Sequence, residues 1–294
     1  MALDAAVAVV ERQHWLDPVG ERLQNGLVGM WGAAGAAGQR VKNFLHGVWL
    51  GHPLHPVLTD IPIGAWSATL ALDAADAIGG RNRYGRGADA ALTLGIAGAV
   101  GAAVTGITDW THTHDRSRRV GMLHGMLNTV ALGLYVASLT RRRQGQRDAG
   151  RGLATLGFGV AMAAAYLGGN LVYHHRVGVD HADERGRSRP RDFVRVMADD
   201  DLAEGGRERV DVDGIRVLLS RRHGAIFALA ETCSHMGGPL VEGRLEGDSV
   251  RCPWHGSRFA LADGRVLDGP ATFAQPCFET RVLGGQIEVR SARG

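Results

Sequence analysis

Nothing in this chain constrains its fold more than four apolar stretches, Pro56 to Ile78, Ala88 to Trp110, Val120 to Thr140 and Leu153 to Tyr173. Each approaches the ~20 residues a helix needs to cross hydrocarbon. The third and fourth contain no Asp, Glu, Lys or Arg, whereas a helix of a water-soluble bundle shows a polar stripe. Small residues recur at Gly95, Gly98, Ala102 and Gly106, a spacing that lets helices approach closely where lipid supplies no hydrophobic drive between them. Short connections around Arg81 to Gly87, Thr111 to Arg119 and Arg141 to Gly152 make the helices alternate up and down. The expectation is a four-helix transmembrane bundle over residues 52–179, multi-pass in a lipid bilayer. Asp60, Asp73 and Asp76 in the first stretch are also what a soluble all-α bundle would carry.

Residues 1–51 show no basic start followed by an apolar core and a cleavage site, so they are not expected to be a secretory signal. Asp17-Pro18 suits a helix start, and Val19, Leu23, Leu27, Met30 and Trp31 follow at helical spacing. An amphipathic helix results, lying at the membrane surface or docked on the bundle.

After His175 the texture changes. Residues 180–191 are charged and contain proline, as a linker does, and from residue 192 to 290 apolar residues alternate. Strands are expected at Phe193–Met197, Glu208–Val212, Ile215–Leu219, Ala225–Leu229, Ser249–Cys252, Arg258–Leu261, Thr280–Leu283 and Gln286–Arg290. Asp213-Gly214, Asp263-Gly264 and Gly284-Gly285 supply two-residue turns. The chain is therefore an α+β two-domain protein, a helical membrane part followed by a small antiparallel β domain. Lys42 is the one lysine, and from Asp192 onward 13 arginines face 16 acidic residues. That balance gives no basic surface for nucleic acid.

Two of the three cysteines stand in Cys233-Ser-His235-Met-Gly-Gly-Pro239 and Cys252-Pro-Trp-His255-Gly-Ser257. Two Cys/His pairs give four soft or borderline ligands, a set that admits zinc or an iron–sulfur cluster. Zinc sites usually separate the first pair by two or more residues, and one residue separates Cys233 from His235. Cys277 is left over, and a small buried residue in a strand suffices to explain it.

Both boxes, with Gly269-Pro270-Ala271 as a third loop, closely resemble the Rieske ferredoxin family over about Asp192 to Arg290. The resemblance implies a [2Fe-2S] cluster with Cys233 and Cys252 on one iron and His235 and His255 on the other. Ser257, Gly269 and Pro270 would surround it. Two imidazoles in place of two thiolates make such a cluster less negative and easier to reduce, at the histidine-bound iron. A second ring nitrogen facing solvent or a partner would offer an electron exit and a redox-linked proton. Gly237, Gly238 and Gly256 would let backbone approach the sulfides. Respiratory members carry an extra cysteine in each box, joined as a disulfide; Gly238 and Trp254 take those places here. Ser257 matches a hydroxyl that bonds a cluster sulfide, and Phe259 stands where those members have a tyrosine. Fewer donors imply a potential in the lower or middle part of the ~−150 to +300 mV Rieske range.

The function implied is a membrane-anchored electron-transfer protein, an oxidoreductase component with no catalytic residue of its own, working with a redox partner protein or a quinone. Two rivals are the ferredoxin component of an oxygenase system and a non-catalytic redox sensor. In the first half, His52, His55, His112, His114, His124, His174 and His175, with Asn128, should gather at one end of the helices. Such groups can cap helix ends, bind haem b or another metal, or handle quinone and protons. About Phe44 to Val179 resembles a bacterial membrane family, domain of unknown function 2231, through His52-Pro-Leu-His55-Pro, Ile61-Pro-Ile-Gly64, His124 with Asn128, and Gly168-Gly-Asn-Leu-Val-Tyr173. It implies a fold, a bacterial cytoplasmic membrane and no specific activity. Eight arginines lie in the loops opposite the histidines, three from Arg81 to Arg86 and five from Arg141 to Arg151. The positive-inside bias then sets the β domain on the extracytoplasmic side.

Overall fold

Seven α-helices precede ten strands in the computed structural model, which describes residues 2–79, 83–182 and 190–292. Arg81 and most of the expected linker, 183–189, lie outside the described residues. The chain divides into a helical unit, Met1–Gly38 with Leu54–Val177, and a β unit, Gln39–Pro53 with Gly178–Gly294. Residues 39–53, which the sequence alone sets with the N-terminal helices, thus group with the β unit.

In the helical unit, α4 (Leu54–Gly79), α5 (Gly85–Trp110), α6 (Asp115–Arg143) and α7 (Arg147–Tyr173) are the long helices. Glycines set how closely they pack. On α5, Gly95 lies under Trp66, Gly98 under Ile61 and Gly106 under His55, so α4 and α5 run antiparallel. Between α7 and α6, Gly150 meets Arg142, Gly157 meets Tyr135 and Gly168 meets His124. Trp66 of α4 stacks on Tyr135 of α6, ring centres 4.0 Å apart and 17° from parallel. Among the described residues three helices, α5, α6 and α7, are long and apolar enough to cross a membrane, not the four expected. The exception is α4, diluted by Asp60, Asp73 and Asp76 and by prolines; Asp73 and Asp76 are buried and ion-paired.

The N-terminal helices α1 (Ala2–Glu11) and α2 (Asp17–Ala33) belong to the same unit. Val7 packs with Val120 and Leu167. The buried side of α2 is its small and polar one: Gly20 fits against Met122 and Arg118, and Gln24 donates to the carbonyls of Trp110 and Thr113. Val19, Leu23 and Met30 face outward, 45, 53 and 55% exposed, an inverted amphipathicity for a helix docked on a bundle. Asp17 anchors it, accepting hydrogen bonds from Arg119 at 2.8 Å and Arg118 at 3.1 Å. Arg119, with Arg118, holds that carboxyl well below the usual range despite some desolvation. A depressed carboxyl contributes stability above its unfolded pKa of about 3.9 and loses it as pH falls through the folded value. Asp17→Asn is therefore expected to lower the melting temperature in detergent by a few degrees at pH 7, the difference from wild type closing as the pH falls below that of a free carboxyl. Equal melting at neutral pH would show the anchor inert.

The β unit holds two antiparallel sheets. The larger orders β1 (Val194–Ala198), β10 (Gln286–Ser291), β9 (Cys277–Leu283), β4 (Ala225–Ala230), β3 (Ile215–Arg222) and β2 (Arg207–Val212). The smaller orders β5 (Arg244–Leu245), β6 (Ser249–Arg251), β7 (Arg258–Ala260) and β8 (Val266–Asp268). Asp213 and Gly214, with φ of 53° and 83°, close β2 onto β3, and Gly284 and Gly285, at 59° and 73°, close β9 onto β10. Leu218, Leu229, Leu240, Val250, Phe259 and Leu261 form a core that includes Cys233 and Cys252.

Candidate functional site

Three loops leave this core together: residues 232–239 after β4, 252–257 between β6 and β7, and 269–276 between β8 and β9. The first two repeat one backbone pattern. In each, the cysteine N–H donates to a carbonyl five residues on, Gly238 at 2.8 Å and Ser257 at 2.8 Å. In each, a glycine four residues on returns its N–H to the cysteine carbonyl, Gly237 at 2.9 Å and Gly256 at 3.2 Å. Those glycines have φ of 79° and 77°, a conformation costly for other residues. The two turns project the sulfurs inward and the imidazoles outward. Cys233 and Cys252 are buried, His235 and His255 half-buried.

The thiols lie within hydrogen-bond reach of each other. That contact, aided by N–H groups of Trp254 and His255 against the cost of burial, brings Cys252 down to about 7. The same contact, with burial, pushes Cys233 up. The imidazole centres of His235 and His255 are 5.0 Å apart with planes at 87°. An imidazole on a metal puts its ring centre about 3.1 Å from it, given an N–metal bond of about 2.0 Å, so two rings on one tetrahedral metal lie about 5 Å apart. Two adjacent buried thiols and two imidazoles at that separation fit the donor set of one [2Fe-2S] cluster.

The third loop closes the site. Ser257, fully buried, accepts the Ala271 N–H at 2.9 Å. Ser234 donates to the Phe273 carbonyl at 2.8 Å. Gln275, also buried, donates to the carbonyls of Ala230 and Thr232 and accepts the Ser234 N–H, fastening the first loop to the third. From the segment 39–53, Asn43 accepts the Gly269 N–H at 3.0 Å and donates to Asp268 at 3.1 Å, while His46 and Val48 pack beside Gly269, which joins Pro270 through a cis peptide. Gln275 and Asn43 carry no mark in the sequence; an amide 226 residues from its partner has no local signature. Phe259 is fully buried, and Cys277 is half-buried at the start of β9. Gly238 backs onto Trp254, and a Cβ there would stand 2.9 Å from the Cys252 sulfur. Gly238→Ala should therefore displace that sulfur and cut cluster occupancy severalfold while the β fold persists. Iron per chain, read beside circular dichroism, checks this, and undiminished iron would show the cradle to be slack.

The other sequence candidates do not meet at one point. His55 and His124 lie together with Asn128. His174 and His175 gather with Glu11, whose carboxylate is 3.1 Å from His175. His112 is buried. His52 belongs to the β unit, its ring 6.0 Å from that of Phe273.

The Rieske [2Fe-2S] domain family matches residues 192–279. Ferredoxin CarAc of Metapseudomonas resinovorans is 34% identical over 98 residues, 33% of this chain and 92% of that protein. The chain belongs to the Rieske [2Fe-2S] family. Its helical half matches the family described as "Predicted membrane protein (DUF2231)" over residues 51–181, so this Rieske protein is a fusion. The ferredoxin component of the naphthalene 1,2-dioxygenase system of Pseudomonas putida is 32% identical over 80 residues, 27% of this chain and 77% of that one. Human apoptosis-inducing factor 3 is 30% identical over 131 residues, 44% of this chain; the chain spans 22% of that protein's length.

Proposed function

We propose that this Rieske protein is a membrane-anchored one-electron carrier, with Cys233 and Cys252 on one iron and His235 and His255 on the other. The observation that carries it is the convergence of two buried thiols with two imidazoles 5.0 Å apart. The cluster supplies reversible one-electron chemistry. The protein's part is to hold the thiolates in an apolar core, shield them with Phe259 and the third loop, and turn the histidine edge outward to a redox partner. Trp254, 57% exposed beside His255, gives that edge an aromatic contact surface. Phe259 lacks a hydroxyl, and the one hydroxyl carried over from the family's high-potential members is that of Ser257. A potential in the lower or middle part of the ~−150 to +300 mV range follows.

EPR of the dithionite-reduced, detergent-extracted full chain tests the assignment; a colourless, iron-free protein after anaerobic reconstitution would sink it. Likeness to the naphthalene dioxygenase ferredoxin component favours a second reading, donation to an oxygenase. Cluster reoxidation by quinone alone, with no partner protein, would decide against it. The α4 to α7 helices form the anchor, with α4 as fourth span and the β unit extracytoplasmic. Of the eight arginines behind that orientation, Arg142, Arg147 and Arg151 are paired with Asp73, Asp89 and Asp76, so its support is Arg81, Arg83, Arg86, Arg141 and Arg143. A haem or another metal sits at the histidine end of that anchor.

A further inference from the structure

The helical unit carries one histidine arrangement twice. On α4, the Nδ1 of His55 is 2.8 Å from the Ala102 carbonyl of α5; one turn beyond, Gly106 makes room for the ring, since a Cβ there would stand 2.7 Å from it. On α6, the Nδ1 of His124 is 2.8 Å from the Ala164 carbonyl of α7; one turn beyond, Gly168 makes the same room, its Cβ position 3.1 Å from the ring. A carbonyl can only accept, so each ring donates Nδ1–H and keeps its lone pair on Nε2. Such a bond is what fixes the tautomer and orientation of a metal-ligating histidine. Thr105 shares the Ala102 carbonyl, donating to it at 3.1 Å, and Asn128 lies at the His124 ring. Its Nδ2 donates to the His124 carbonyl at 2.9 Å and lies 3.2 Å from Nε2 and 3.5 Å from Nδ1 of the same ring. Near-equal distances to the two ring nitrogens put that amide over the face of the imidazole, not on the in-plane lone pair of Nε2.

The two ring centres are 6.4 Å apart with planes at 87°. Two imidazoles on opposite poles of one metal would lie about 6.3 Å apart, against about 5 Å on a tetrahedral one. The cluster histidines match the second figure and this pair the first. Among the described residues of the helical unit, Glu11, His174 and His175 are a group of three ligands close enough to share an ion, and neither His55 nor His124 belongs to it. A bare zinc ion takes four ligands. A haem iron brings four in its own macrocycle and asks the protein for two axial ones.

We propose that His55 and His124 are the axial ligands of a haem held between the α4–α5 and α6–α7 pairs. This rests on the reading of the helical unit as a redox membrane domain and assigns its site. Nδ1–H donation to Ala102 and Ala164 makes both ligands more basic and strengthens their hold on ferric iron.

The full chain, purified in detergent and supplied with haemin, tests it. The expected result is one haem per chain, a Soret band that shifts on dithionite, and an anisotropic low-spin EPR signal from perpendicular axial rings. His55→Ala and His124→Ala should each lose that spectrum, and His124→Met should keep haem at a raised potential. The signal of the reduced [2Fe-2S] cluster, unchanged in all three variants, shows that the β unit is still folded, and haem retained by His124→Met shows the same of the helical unit. No Soret band after haemin, alanine variants with an unaltered spectrum, or zinc or copper bound in haem's place would each overturn the assignment. A haem spectrum without the cluster signal would leave it standing and overturn the Rieske assignment instead.

Discussion

Cys252→Ala is expected to yield a chain without a cluster: iron at background and no EPR signal after dithionite. Cys277→Ala should retain both. The contrast follows from where the three sulfurs lie. Cys233 and Cys252 sit in the core, 1 and 3% exposed, at matching positions of two matching turns. Cys277 lies outside those turns, its sulfur 3.6 Å from the Gln275 carbonyl. With Cys252 gone, one iron keeps a single thiolate, and no other described cysteine is placed to replace it. Cluster binding also stabilises the folded state, because the unfolded chain offers no preformed site; the alanine variant should melt earlier as well as purify colourless. Stoichiometric iron in Cys252→Ala would mean that the four ligands are wrongly assigned.

How far the sequence reaches depends on the range of the interaction. The apolar stretches became α4 to α7 because helix content is written locally, in 20 or so consecutive residues. The Cys/His boxes were legible for the same reason: each is a turn closed by its own glycine. The number of apolar spans was not, because α4 carries Asp73 and Asp76 for partners on α6 and α7, and sequence shows the acids without the pairing. Strand β5 escaped because two residues are too few for alternation to register; β8, of three, escaped although β6 and β7 of the same length did not. The β3–β4 turn escaped because a histidine, His223, takes the positive φ of 53° beside Gly224, where Asn, Asp or Gly is the usual signal. Least legible was the clasp on the third loop. Asn43 precedes Gly269 by 226 residues, and nothing near either one announces the other. The histidines were visible one by one, while their sorting into His55 with His124, His174 with His175 and Glu11, and His52 in the β unit depends on helix packing.

Arg142→Leu should be the most destabilising single change in the helical unit. The Arg142 side chain is fully buried. Its guanidinium pairs with both oxygens of Asp73, reaches Asp89 at 3.1 Å, and donates through Nε to Ser138 at 3.1 Å. Ser138 in turn donates to the Gly150 carbonyl at 2.6 Å, and Gly150 has no Cβ because one would stand 2.6 Å from the Arg142 stem. One residue thus ties α4, α5, α6 and α7 at a single level. Removing the arginine leaves the Asp73 carboxylate, 7% exposed, beside only a distant Arg151 at 3.7 Å. Stranding a buried charge in this way costs about 3–5 kcal/mol, while replacing both partners by apolar groups of similar size is often neutral. Arg142→Leu should therefore fall apart at markedly lower temperature in detergent, and Arg142→Leu with Asp73→Leu should recover much of the loss. The comparison separates a stranded charge from lost packing: a double variant no more stable than the single one would mean that the arginine acts through its volume.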